Sequence, residues 1–229
     1  MILSLDPDDD DAEAKEIERI AQQHVRPVQQ ALGLQLDHIT VAGNVGEVQR
    51  LLDTLPTQNL QEAIDSLLRA SAGRGVRMAA ENIGQVLMGV NWRLPNLAAM
   101  SWAQGASYEL VHGITETSRQ VIQAALGDWV RDGGAMENLV NRLLPQFGQV
   151  RAEMIAVTES TRSFATGSRL LYQQAGIRRV QLLTNRDDHV CPICRPYDGQ
   201  IVDIEIGVPG VGFMPWHVNC RCFLRCVIE

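Results

Sequence analysis

The chain has 229 residues, 45% of them apolar, and a mean hydropathy of −0.07, a profile that suits one or two ordinary globular domains. No apolar run approaches the roughly eighteen residues that a membrane span requires, so a membrane protein is not expected. The net charge of −7 is uneven: Asp6, Asp8, Asp9, Asp10, Asp11, Glu13 and Glu16 against Lys15 place a net −6 in the first sixteen residues. The remainder is near neutral, which argues against wholesale wrapping of nucleic acid but leaves room for a local basic face.

The acidic run at 6–11 suits the positive end of a helix dipole, and Ile17, Ile20, Ala21 and His24 or Val25 recur at helical spacing behind it, predicting a helix over 12–32. The run reads most simply as a solvated helix start, with a docking tail as the alternative. Gly33, Gly43 and Gly46 read as a turn region, after which Val48, Leu51, Leu52 and Leu55 resume the helical period up to Pro56. Two helices are expected between Leu60 and Val90, separated near Gly73 to Gly75. Pro95 suits the first turn of the next helix, where its missing N–H costs nothing, and Trp92, Trp102 and Trp129 read as core. Thr117 to Asp132 reads as a further helix stopping at Gly133-Gly134, Leu139 to Leu144 as a short amphipathic piece ending near Pro145, and Met154 to Leu170 as a longer helix ending at Gly176. Strand patterns come only afterwards, at 180–184, 201–204 and 223–228.

The expected fold is therefore mainly α. A helical N-terminal region, 1–115, precedes a C-terminal part, 116–229, in which a helical stretch at 116–178 leads into a small α+β Cys/His-rich module at 179–229. A unit of about 50 residues has too small a core to offset chain entropy comfortably, so a staple is expected there.

The staple is visible in the sequence. Cys191-Pro192-Ile193-Cys194 is followed, after 22 residues, by His217-Val218-Asn219-Cys220-Arg221-Cys222. A C-x2-C turn points two thiolates at one ion, and H-x2-C-x-C supplies more than the two further ligands a tetrahedral zinc needs. All five cysteines lie in the last 39 residues, their number is odd, and no hydrophobic signal segment opens the chain, so a reducing compartment and a structural metal are expected in place of a disulfide scaffold. Cys191 and Cys194 are the firm pair and Cys220 the third ligand. His217 competes with Cys222 for the fourth place: a turn from 217 to 220 favours the histidine, an extended run from 220 to 222 favours the cysteine. Cys226, among Phe223, Leu224, Val227 and Ile228, reads as a small buried hydrophobe. A thioredoxin-like use of the C-x2-C is not expected, because Pro196 and Tyr197-Asp198-Gly199 follow where a helix would have to open.

Lys15 is the only lysine against nineteen arginines. Arg186, Arg195, Arg221 and Arg225 of the module are candidate phosphate contacts, which makes a non-enzymatic DNA-binding protein one alternative reading. On the last long helix, Thr158, Glu159 and Arg162 share a face and form a candidate polar anchor for the module, with a weak surface ion pair as the plainer alternative. A metal-dependent nuclease or hydrolase is the remaining alternative. No H-x-E precedes a P-C-x2-C, however, and there is no H-E-x2-H helix, G-x-S-x-G elbow or phosphate-binding G-x4-G-K loop.

An ordered set of motifs over about 115–225 carries a resemblance: Gly133-Gly134, Leu143 to Phe147, Arg151-Ala152-Glu153-Met154-Ile155-Ala156-Val157-Thr158-Glu159, Gly167, Gly176, Thr184 to Asp188, Cys191-Pro192-Ile193-Cys194, Gly199, Pro215, His217 and Cys220-Arg221-Cys222. This resembles the phage Mu protein F-like family of minor head proteins, the head morphogenesis domain of tailed bacteriophages. Two positions depart from the family pattern. Gln181-Leu182-Leu183 stands where an aromatic residue commonly precedes T-x2-D, and Trp216 stands where proline is usual; both read as packing positions. The resemblance implies a non-catalytic structural protein of the virion head, assembled in the host cytoplasm. Its implied partners are the portal protein, the major capsid protein or the scaffold, with packaged double-stranded DNA as a further contact, and no small-molecule substrate. Residues 1–115 carry no motif of this kind.

Overall fold

The computed structural model of the protein describes residues 12–84, 93–132, 135–185 and 191–228. The acidic run at 6–11, Trp92, Gly133-Gly134 and Arg186 to Asp188 lie outside the described residues. Six α-helices are described, followed by a three-stranded sheet: α1 Ala12–Thr40, α2 Val45–Leu52, α3 Gln58–Ile83, α4 Arg93–Asp132, α5 Met136–Phe147, α6 Gln149–Gln174, β1 Arg179–Leu183, β2 Ile201–Asp203 and β3 Phe223–Val227. The sheet order is β2-β1-β3 with both pairings antiparallel.

Three helices run through breaks expected from the sequence. α1 continues past Gly33 to Thr40, where Leu36 and Ile39 extend its buried face. One helical glycine costs about 1 kcal/mol, less than the roughly 1.5–3 kcal/mol gained by burying each of those side chains. α3 runs unbroken through Gly73 and Gly75. α4 joins the segments either side of Thr117 into one helix, because Pro95, Ala99, Ala103, Ser107, Val111, Ile114, Ser118, Ile122 and Leu126 form one buried stripe at helical spacing. Residue 115, the boundary suggested by the sequence, therefore falls inside α4.

α3 and α6 cross in close backbone contact. A Cβ built on Gly75 would lie 2.2 Å from the Phe164 carbonyl oxygen, and one on Gly167 only 2.0 Å from that of Ala72, so the two backbones approach as only glycine permits. Buried hydroxyls fasten the seam: Ser71 Oγ donates to the Ser160 carbonyl at 2.7 Å and Ser168 Oγ to that of Gly75 at 3.1 Å. At its C-terminus α6 stops at Gly176, φ +76°, with Gly176 N–H donating to Gln173 O and Ile177 N–H to Tyr172 O, the paired bonds of a glycine C-cap.

One core fills the α1–α6 bundle. A second joins the far ends of α3 and α6 to the inner face of the sheet through Val76, Ile83, Leu171, Tyr172, Val180, Leu182 and Leu224. The two ends of the described chain meet at a buried ion pair. Arg225 on β3 donates from Nε and Nη2 to the two carboxylate oxygens of Glu13 at 2.8 and 2.7 Å, and Asn82 Nδ2 adds a bond at 2.9 Å. Between α1, α4 and α6, Gln35 bonds Thr115 and Ser118 in the interior. Among the described residues no helix is long and apolar enough to cross a membrane.

Candidate metal centre

The sheet register gathers the cysteines. Leu183 at the end of β1 pairs with Phe223 at the start of β3, and Gln181 pairs with Ile201 at the start of β2. The β1–β2 connection, which carries Cys191 and Cys194, therefore leaves the same end of the sheet to which His217, Cys220 and Cys222 return just before β3. The C-x2-C segment is a tight turn, with Cys194 N–H donating to the Cys191 carbonyl at 3.1 Å and lying 3.3 Å from Cys191 Sγ. A 3₁₀ turn at Arg195–Tyr197 follows, and Asp198 then accepts the Thr184 N–H at 2.8 Å, closing the connection onto β1.

The second cluster meets the turn condition that the sequence left open. His217 to Cys220 is a turn closed by Cys220 N–H to His217 O at 3.3 Å, with Asn219 in the left-handed region at φ 62°, a conformation asparagine tolerates. Cys220 to Cys222 then runs on into β3, and both sulfurs are buried. Two triplets result, Cys191–Cys194–His217 and Cys194–Cys220–Cys222, in each of which all ligand atoms lie within 4.8 Å of one another. Cys194 belongs to both.

The sulfur–sulfur spacing suits a metal, whereas the histidine stands closer to the thiols than the ~3.5 Å that two ligands of one tetrahedral zinc keep. His217 Nε2 is 3.0 Å from the sulfurs of both Cys191 and Cys194, and Cys194 Sγ is 3.9 Å from Cys220 Sγ. The edge of a tetrahedron with metal–sulfur bonds of about 2.3 Å is about 3.8 Å. His217 Nδ1 lies 2.6 Å from the Val218 carbonyl, so an Nδ1–H donated there leaves the Nε2 lone pair facing the sulfurs, the outer-shell arrangement that orients a metal-bound imidazole. Hydrogen bonds from Cys194 and Cys222, reinforced by the backbone N–H groups of Cys222 and Trp216, hold the Cys220 thiol well below its ordinary range, while hydrogen bonds to Cys220 and Cys222, with burial, push Cys194 up. Crowded thiols that already share protons in this way yield them to a metal. Either triplet can hold a metal ion; His217 belongs to one and Cys222 to the other, and the expected set Cys191, Cys194, Cys220 and His217 is not gathered within 4.8 Å as one group.

α6 holds the module from below. Asn219 N–H donates to Thr158 Oγ1 at 3.0 Å and the buried Thr161 hydroxyl donates to the Cys220 carbonyl at 2.5 Å. Of the expected anchor, Thr158 reaches the module, whereas Arg162 pairs with Glu159 on its own helix at 3.2 Å. Thr161 is the anchor that sequence reasoning missed; its one signal was a hydroxyl on an otherwise buried helix face. Burial raises the Glu159 carboxyl above its ordinary value, with Arg162 opposing.

The phosphate-contact set is divided. Arg195 is exposed and Arg221 half-buried, while Arg186 lies outside the described residues. Arg225 requires a correction: its guanidinium is taken by Glu13 and its side chain is 13% exposed, so it is turned inward and not presented to a phosphate. Cys226 packs against the second core, and burial raises its thiol pKa.

Residues 120–225 match the model of the family described as Phage Mu protein F like protein. This segment, a little under half of the chain, is similar to that family. The Phage Mu F-like segment includes α5, α6, both cysteine clusters and the Thr158 and Thr161 anchors, and it begins within α4. At its two departures from the family pattern, Leu182 is fully buried in the second core, and Trp216 packs on Tyr197 with ring centres 4.5 Å apart. No curated protein and no solved structure matches the chain.

Proposed function

We propose that the chain is a minor head protein of a tailed bacteriophage, a non-catalytic component that acts in head morphogenesis at or near the portal. The observation that carries this reading is the Cys/His cluster inside the family-matched segment, fastened to α6 by backbone-directed hydroxyls and lined by thiols. In this reading the metal is zinc and its work is structural. Tetrahedral coordination by three or four thiolates, with His217 or Cys222 as the fourth ligand, closes the site and leaves no open position for chemistry. The portal, major capsid protein or scaffold are the partners of such a protein, and the virion head its location.

The DNA-binding alternative is weakened by the inward turn of Arg225 and by the acidic balance of the chain. Quantitative immunodetection in purified heads, before and after DNA release, tests the head assignment. The chain is expected in heads at a copy number far below that of the major capsid protein, and retained when DNA is gone. Its absence from heads would refute the assignment, and its loss together with DNA would favour the DNA-binding alternative.

A further inference from the structure

Arg151 opens the Arg151-to-Glu159 block that carries the family resemblance, yet the metal centre makes no use of it. It is half-buried in the first turn of α6, its guanidinium carbon 5.5 Å from the centre of the Phe147 ring. Nη1 donates to Ser118 Oγ at 3.1 Å and to the Gln146 carbonyl at 3.2 Å, and Nη2 to the Ile114 carbonyl at 3.0 Å. All three acceptors are neutral. Among the described residues Arg151 forms no ion pair, and burial alone lowers its pKa, with no carboxylate opposing. Three of its five N–H groups are used, so Nε–H and one Nη2–H remain, the edge that grips a carboxylate with two parallel bonds. A half-buried guanidinium with no counter-charge and an unused N–H edge is a position fit for an anion brought from outside.

The surroundings indicate what carries that anion. Arg151 lies in a groove of about 430 Å³ between α4 and α6, whose other walls are chiefly Leu110, Ile114, Met154, Ile155 and Val218, with Glu159, already paired with Arg162 at 3.2 Å, at the Thr158 end. Gly113 on α4 also lines it and has open space where a side chain would stand. Met154 and Val218 are exposed apolar side chains, as is Val150 one helical turn before Met154. From Arg151 to Thr158 the groove follows about two turns of α6, roughly 10 Å. The far end is supplied by the metal centre, because Val218 sits in the His217–Cys220 turn beside Asn219, which bonds Thr158.

We propose that this groove receives a short amphipathic helix of another head protein, with apolar side chains seated on Met154, Ile155 and Val218 and one carboxylate seated on Arg151. The proposal rests on the head-protein reading above. Two turns of a helix offer the i, i+3 or i+4, and i+7 anchors of helix-in-groove recognition, and the carboxylate fixes the direction in which that helix lies. Because Val218 is placed by the metal centre, filling the metal site and filling the groove favour one another.

The test places a benzophenone photocrosslinker at Thr117, an exposed groove residue, in the full chain, irradiates intact heads and sequences the linked peptide. The expected product joins Thr117 to an amphipathic, Asp- or Glu-bearing helical segment of a different head protein. Arg151→Gln should reduce its yield at least tenfold with metal content unchanged. Met154→Glu, at an exposed position where folding is not at risk, should do the same by setting a like charge beside the incoming carboxylate. A product joining two copies of this chain would overturn the proposal. So would a linked peptide without an acidic residue, or a yield indifferent to both substitutions. A chain present in heads but unlinked defeats the groove alone, whereas a chain absent from heads defeats the head assignment and the groove with it.

Discussion

Gly167→Ala tests the α3–α6 crossing on which both cores depend. The added Cβ would lie 2.0 Å from the Ala72 carbonyl oxygen, where ordinary contact begins at 3.4 Å. The obstacle is backbone, so it cannot swing aside and the helices must part by more than an ångström. Overpacking of this kind costs about 1–3 kcal/mol. Parting also stretches the Ser71–Ser160 and Ser168–Gly75 hydrogen bonds, and a buried partner left unsatisfied costs a further ~1–3 kcal/mol. Against about 1 kcal/mol of improved helix propensity, the expected net loss is about 1–5 kcal/mol, or about 2–20 °C in Tm for a protein of this size. Gly33→Ala is the matched control. Nothing lies within 4 Å of its added Cβ, so it should stabilise α1 by about 0.5–1 kcal/mol. Thermal melts followed by far-ultraviolet circular dichroism measure both. A Gly167→Ala variant melting within about 2 °C of the parent, or a Gly33→Ala variant falling with it, would refute the close-crossing argument.

Three further outcomes follow from the contacts. Glu13→Gln leaves Arg225 buried without its counter-charge and should cost about 3–5 kcal/mol in urea unfolding, most of it recovered when Glu13→Leu is combined with Arg225→Met; a loss under 1 kcal/mol would show the clasp to be ornamental. Thr161→Val removes the donor to the Cys220 carbonyl with every candidate ligand intact. It should cost about 1–3 kcal/mol and speed transfer of metal to a colorimetric chelator, and unchanged transfer would argue against Thr161 as an anchor. Glu159 has a carboxyl raised above 4.5 by burial, so its contribution is fully present below the unfolded value and is lost as pH rises through the folded value. Glu159→Gln should therefore be more stable than the parent at neutral pH, with the gap closing as pH falls toward 4.5; equal stability at both pH values would contradict this.

Chemistry was more legible in the sequence than geometry. The three strands, the C-x2-C turn and the returning His/Cys cluster could be read from local pattern, because turn residues and ligand spacing act over a few positions. The helix breaks could not. Gly33 and Gly75 look alike as letters, yet one is a tolerated helical residue and the other a contact with Phe164 that exists only once α6 has packed. The mixed size and polarity of the buried stripe of α4 from Pro95 to Leu126 hid it, and only its partners explain it. Glu13 and Arg225 are 212 residues apart, so nothing local could reveal that Arg225 is occupied. Likewise Thr161 was legible as part of a helix face, but its bond to Cys220 depends on where the last loop lands.

The most direct measurement is metal content by mass spectrometry on protein purified without chelator, paired with Cys191→Ser. The account predicts one equivalent of zinc in the parent, its loss in the variant, and a C-terminal module newly sensitive to protease while most helical signal remains. A parent without metal, or a variant that keeps both zinc and protease resistance, would contradict it.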